Sequence, residues 1–91
     1  MSVEVRLPTL LRGSANGQSV VEVDGATVGE VLQALAALYP GLQGQILTTD
    51  GSLHKFVNVY LDDDDVRYLD KLDTKVASGS VISILPAVAG G

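Results

Sequence analysis

The hydrophobic residues of this chain change their spacing twice, and that change limits the fold more than any single motif. "SVEVRL" alternates, with Val3, Val5 and Leu7 on one side and Ser2, Glu4 and Arg6 on the other. That is the period of a half-buried strand, and Pro8, which has no N–H to donate, ends its ladder. "QSVVEV" resumes strand character and stops at Asp24–Gly25. The "RGSANGQ" between them reads as a loop with turn chemistry at Gly13, Asn16 and Gly17, which makes the pair a hairpin. From Val28 the period lengthens: Val28, Val31, Leu32, Leu35 and Leu38 recur at helical spacing and form one apolar face. Thr27 before them and Glu30 three residues on form a capping box for the free N–H groups at the helix start. Tyr39–Pro40–Gly41 stops the helix.

Beyond it "LQGQILTTDG" has no clear period, and Leu42, Ile46 and Leu47 are expected to tuck under the sheet before a turn at Asp50–Gly51. "HKFVNVYL" reads as the strongest central strand, with Val57, Val59 and Leu61 set against Phe56, Asn58 and Tyr60. "DDDD" turns it and "VRYL" reads as a short returning strand. "LDTKVASG" is a turn or brief helical loop ending at Gly79. "SVISILP" closes the series, with Ile82 and Ile84 alternating against Val81, Ser83 and Leu85. The order β-β-α-β-β-β gives an α+β domain in which one helix buries its stripe on one face of a mixed sheet of about five strands. The first and last strands are expected to lie parallel at the sheet centre. This is the element order of a ubiquitin-like β-grasp, and order alone leaves the function open.

Composition narrows the choice. Ninety-one residues fit one domain, here expected over residues 1–86, followed by a flexible tail over 87–91. Only 4% of residues are aromatic, so the core must be aliphatic. There is no Cys, hence no disulfide scaffold, thiolate nucleophile or Cys-based zinc site. A net charge of −5 speaks against nucleic acid and anionic membranes, whose binders need basic footprints. The N-terminus alternates where a signal peptide would carry an apolar run, and no stretch approaches the ~20 apolar residues of a membrane span. The expected location is the cytoplasm.

Few internal residues invite a chemical role. Asp62 to Asp65 could suggest a metal, but an EF-hand loop needs a Gly at its sixth position and a Glu at its twelfth. Counted from Asp62 those positions hold Arg67 and Asp73. Four adjacent carboxylates in a turn are more simply a solvated loop that blunts edge pairing. His54 is the sole histidine and has no Ser, Cys or carboxylate motif around it. "GSANG" lacks the Lys and following helix of a phosphate loop. No metal site or enzyme active site is expected, and no cofactor held by this chain.

The terminus differs. "LPAVAGG" is a bare apolar tail on an acidic chain. Gly90 and Gly91 carry no Cβ, so their main chain can enter a channel too narrow for side chains. The reactive end is the α-carboxylate of Gly91, ionised at neutral pH. A carboxylate is a usable nucleophile and a poor acyl donor. Attack on the α-phosphate of ATP would make it an acyl-adenylate. A sulfur nucleophile could then displace AMP and leave a thiocarboxylate, while an amine would give an amide or isopeptide bond.

With fold and tail together, the chain resembles the ThiS/MoaD family of ubiquitin-like sulfur carriers over essentially its whole length. "SGSVISILPAVAGG" is similar to that family's last turn, strand and terminus, and "VEVRLPTLLR" and "LHKFVNVYLDDDDVRY" resemble its CysO branch, which serves cysteine biosynthesis. The resemblance implies that the carrier is a protein cosubstrate, not an enzyme. An E1-like adenylyltransferase, which holds the ATP and Mg, activates Gly91. A sulfurtransferase or other sulfur donor makes the thiocarboxylate. An acceptor synthase, which in the cysteine branch carries an activated serine such as O-phosphoserine, receives the sulfur, and a metal-dependent protease releases the new cysteine. Other branches imply a molybdopterin or thiamin precursor or a thiosugar as acceptor. Two other readings stay open: a protein modifier ending in isopeptide bonds, and a plain interaction domain with an idle tail.

A docking face follows from the alternation. If Ile82 and Ile84 face the helix, Leu85 faces outward beside the tail, and Phe56 does so if Val57 and Val59 are core. Leu85, Pro86, Ala87, Val88, Ala89, Gly90 and Phe56 are therefore the candidate partner-binding residues. A register shift of one residue would bury both Leu85 and Phe56.

Overall fold

One five-stranded mixed sheet carries the chain, in the strand order β2-β1-β5-β3-β4. It is seen in a computed structural model that describes residues 2–48, 52–54 and 57–86. β1 (Ser2–Arg6) and β2 (Val20–Asp24) form the antiparallel hairpin, β3 (Val57–Leu61) and β4 (Asp64–Asp65) a second one, and β5 (Val81–Pro86) joins the two. β5 lies parallel to β1, with Val5 opposite Ile82, and antiparallel to β3, with Val59 opposite Ile84. The expected parallel pair is thus at the centre. "HKFVNVYL" supplies β3, an interior strand one place out from the centre, between β5 and the two-residue β4.

Alternation sends Val3, Val5, Val21, Val23, Val59, Ile82 and Ile84 to the same face, all buried. Against them lies the helix α2 (Val28–Leu38), which buries Val28, Val31, Leu32 and Leu35. Leu42 and Ile46 close the core beneath the helix, and Leu47 packs at its margin. This sheet order over one helix is the ubiquitin-like β-grasp. Leu38 departs from the expected stripe and is 59% exposed. It falls at the edge of the apolar face, on the last residue before the helix stops, where nothing is left to cover it.

The start of α2 shows why its sequence begins there. The Glu30 N–H donates to Thr27 Oγ1 at 3.2 Å, and Glu30 Oε1 accepts the N–H of Ala26 at 3.1 Å. The reciprocal bond of the capping box therefore lands one residue earlier than the usual pattern. Replacing Thr27 by Ala should lower the unfolding free energy by about 1 kcal/mol, read from the urea midpoint at unchanged slope. Gly25 is required just upstream, because a Cβ there would stand 2.7 Å from Val31 Cγ2 and 2.9 Å from the Val31 nitrogen.

Two segments differ from the sequence reading. "TLLR" forms a short helix, α1 (Thr9–Arg12), followed by a 3₁₀ turn over Gly13–Ala15 that ends at Asn16 in the left-handed region. Pro8 both ends β1 and opens this helix, and α1 is too short to reveal a period. "VRYL" is not a returning strand. The pairing falls to Asp64 and Asp65, while Val66–Tyr68 is a 3₁₀ turn. A strand would put Val66 and Tyr68 on one face, yet Val66 is fully buried and Tyr68 is 86% exposed. Asp65 fixes the turn by accepting the Arg67 N–H at 2.9 Å. The Arg67 side chain also hydrogen-bonds this carboxylate, at 3.1 Å, and holds it below the usual carboxylate range.

Candidate functional site at the end of β5

β5 fixes where its terminal residues leave the body of the domain. Ile82 and Ile84 are buried against α2, so the strand is anchored from within the sheet. Leu85 stands on the opposite face, 46% exposed, across from Asn58 of β3. Pro86 follows, exposed and opposite Val57. Asn58 Oδ1 is buried beside them and makes no hydrogen bond to the described residues. Of the residues singled out in the sequence, the structure brings together Leu85 and Pro86. Phe56, Ala87, Val88, Ala89, Gly90 and Gly91 lie outside the described residues.

The sequence did not single out α1, which packs alongside the same strand end. A groove of about 530 Å³ runs between α1 and β5, with Pro8, Leu10, Leu85 and Pro86 among its apolar walls and Arg6 and Arg12 among its polar ones. Leu10 is 80% exposed. Arg6 Nε donates to Glu4 Oε2 at 2.8 Å, and Arg12 Nε donates to the Leu7 carbonyl at 3.2 Å. The one available signal was "LL" in a segment of four residues: a single helical turn at the end of the sheet buries one leucine, here Leu11, and leaves its neighbour outside.

The other candidates have structural partners. Asp62 Oδ1 accepts the Val81 N–H at 3.1 Å and its own N–H donates to the Val81 carbonyl at 2.7 Å, which ties the acidic turn to the start of β5. The His54 N–H donates to the Ile46 carbonyl at 2.8 Å. Among the described residues no three His, Asp or Glu side chains gather as a metal ion would need, and no helix is long and apolar enough to cross a membrane.

Comparison with known proteins agrees with this geometry. The sequence profile of the ThiS family matches residues 5–91. The sulfur carrier protein CysO of Mycobacterium tuberculosis is 44% identical over 93 aligned residues that cover both chains completely. A crystal structure of the Amycolatopsis orientalis BexX/CysO complex superposes with a TM-score of 0.88 at 42% identity, covering 98% of this chain and 99% of that one. The crystal structure of SAMP1 from Haloferax volcanii superposes with a TM-score of 0.83 at 32% identity over the whole of both chains. A five-stranded β-grasp that is homologous end to end with CysO sulfur carriers, and carries "AVAGG" after its central strand, belongs to the ThiS family.

Proposed function

We propose that this protein carries sulfur as a thiocarboxylate on Gly91, for cysteine biosynthesis. The observation that supports this most is the full-length homology to CysO combined with the exit of β5. The strand buries Ile82 and Ile84 and leaves its last two described residues, Leu85 and Pro86, exposed. The chain itself needs no catalytic group. A Gly91 carboxylate oxygen attacks the α-phosphorus of ATP inside an E1-like partner, which supplies Mg, and pyrophosphate leaves. A hydrosulfide equivalent from the sulfur donor then attacks the carbonyl carbon of the acyl-adenylate. AMP leaves with the electron pair of the broken C–O bond, and the sulfur stays on Gly91. In an acceptor synthase that sulfur displaces the leaving group of an activated serine, and a metal-dependent protease releases the cysteine product. All of this takes place in the cytoplasm.

Glycine suits each step because no side chain crowds the carbonyl, and the absence of Cys leaves no internal thiol to intercept the acyl-adenylate. Ordering the five tail residues in a partner costs roughly 1–2 kcal/mol each in backbone entropy, to be offset by contacts along Ala87, Val88 and Ala89. The small archaeal modifier relatives favour a second reading, in which an amine takes the activated carbonyl and forms an isopeptide bond.

Intact mass tests both readings. After incubation with a cognate adenylyltransferase, ATP and sulfide, the chain should gain the mass difference between sulfur and oxygen, located on Gly91 by fragmentation. An unchanged mass with a competent enzyme overturns the sulfur-carrier reading. Higher-mass species with Gly91 joined to lysine would instead establish conjugation.

A further inference from the structure

The groove between α1 and β5 has the wrong charge for its protein. The chain holds eleven acidic residues against six Lys and Arg, yet two of those six cations line this groove and no carboxylate does. Glu4 reaches Arg6 from two residues down β1. Arg12 spends its Nε on the Leu7 carbonyl, and no hydrogen bond from its two terminal nitrogens joins it to the described residues. The apolar walls are as unusual. Leu10 and Leu85 come from different elements and are both exposed, and Pro8 and Pro86 line the same groove. A smaller concavity of about 180 Å³ continues the same surface past Leu11, Gln45 and Val57.

Chain length decides what covers this surface. Pro86 forms part of the groove wall, and five residues follow it. Fully extended they reach about 17 Å. Any protein that draws the Gly91 carboxylate into a reaction centre must bring its surface within that distance of Pro86, and the groove is the concave, cationic surface that shares Pro86 as a wall. We infer that the α1–β5 groove is the docking site for the enzyme that adenylates the tail. On this inference the lip of that enzyme's tail channel presents an apolar side chain between Leu10 and Leu85, flanked by Asp or Glu facing Arg12 and Arg6. The inference rests on the carrier reading above and adds the partner's surface chemistry to it. Desolvated Arg and aliphatic anchors at the centre of a contact dominate its affinity, while the opposed charges set the encounter rate.

The test uses the full-length chain and a cognate adenylyltransferase, with ATP–pyrophosphate exchange as the readout. Leu10→Ser and Arg12→Glu should each raise the KM for the carrier about ten-fold or more, with kcat and melting temperature little changed. Lys75→Glu makes the same charge change at the opposite end of the sheet, where Lys75 pairs with Thr27, and should stay within about two-fold of wild type. The wild-type KM should rise with added salt, and the Arg12→Glu variant should lose that dependence. If Leu10→Ser or Arg12→Glu remains within two-fold of wild type, or Lys75→Glu weakens the encounter equally, the docking site is wrong while the carrier reading stands. If the wild-type chain supports no exchange at all, the carrier reading fails and the docking site falls with it.

Discussion

Deletion of Gly91 should abolish charging of the tail with sulfur and leave the folded domain intact. The shortened chain still ends in glycine and still carries an α-carboxylate, so the chemistry of the terminus is unchanged. Reach is what it loses. Removing one extended residue withdraws the carboxylate by about 3.5 Å, the whole distance between reacting atoms in a near-attack arrangement. Misplacement of even ~1 Å can cost about a hundred-fold in rate. The body cannot follow the missing residue, because β5 is pinned by Ile82 and Ile84 and by pairing on both edges. Adenylate formation should therefore fall by at least two orders of magnitude, measured as pyrophosphate exchange, with the melting temperature within about a degree of wild type. Near-normal exchange by the deleted chain would mean that the reactive group lies elsewhere.

The second large effect concerns the fold. Ile82 is fully buried, opposite Val5 on one side and Leu61 on the other. Ile82→Ala removes three carbons at the point where both hairpins meet α2, and the sheet around them is held too tightly to collapse into the gap. Substitutions of this kind cost about 2–5 kcal/mol. Domains this small have stabilities toward the lower part of the usual ~5–15 kcal/mol range. The variant should therefore lose between a third and most of its stability, seen as a fall in the urea midpoint at constant slope. The fraction that remains folded should charge normally with sulfur, since Leu85, Pro86 and the tail are untouched. A midpoint within experimental scatter of wild type would mean that β5 is not the keystone of the sheet.

Where local pattern and tertiary burial agree, the sequence was sufficient. Val3, Val5, Val21 and Val23 alternate and are buried, and Val28, Val31, Leu32 and Leu35 form a helical stripe that meets them. Ile82 and Ile84 marked the last strand, and the short length with two hairpins around one helix left few topologies. Reading failed where a segment was too short to show a period. Four residues formed α1, two formed β4, and "VRYL" curled into a 3₁₀ turn because Asp65 caps it with a side-chain oxygen that no alternation rule registers. The candidate site divides in the same way. Leu85 and Pro86 follow from the pleat of β5. Leu10 and Arg12 do not, because their groove forms only when α1, early in the chain, is laid beside the strand that comes last. Apposition across that much sequence leaves no trace in either segment alone.

The parallel pairing of β1 and β5 has a mechanical consequence. A partner that grips the tail pulls β5 along its own axis, and β1, which runs in the same direction with Glu4, Val5 and Arg6 opposite Val81, Ile82 and Ser83, resists it from one edge. The evenly spaced, slanted hydrogen bonds between them are loaded together in shear and do not open one after another like a zip. β3 grips the other edge over five residue pairs in the same manner. The domain can therefore be pulled by its terminus without its sheet being peeled apart.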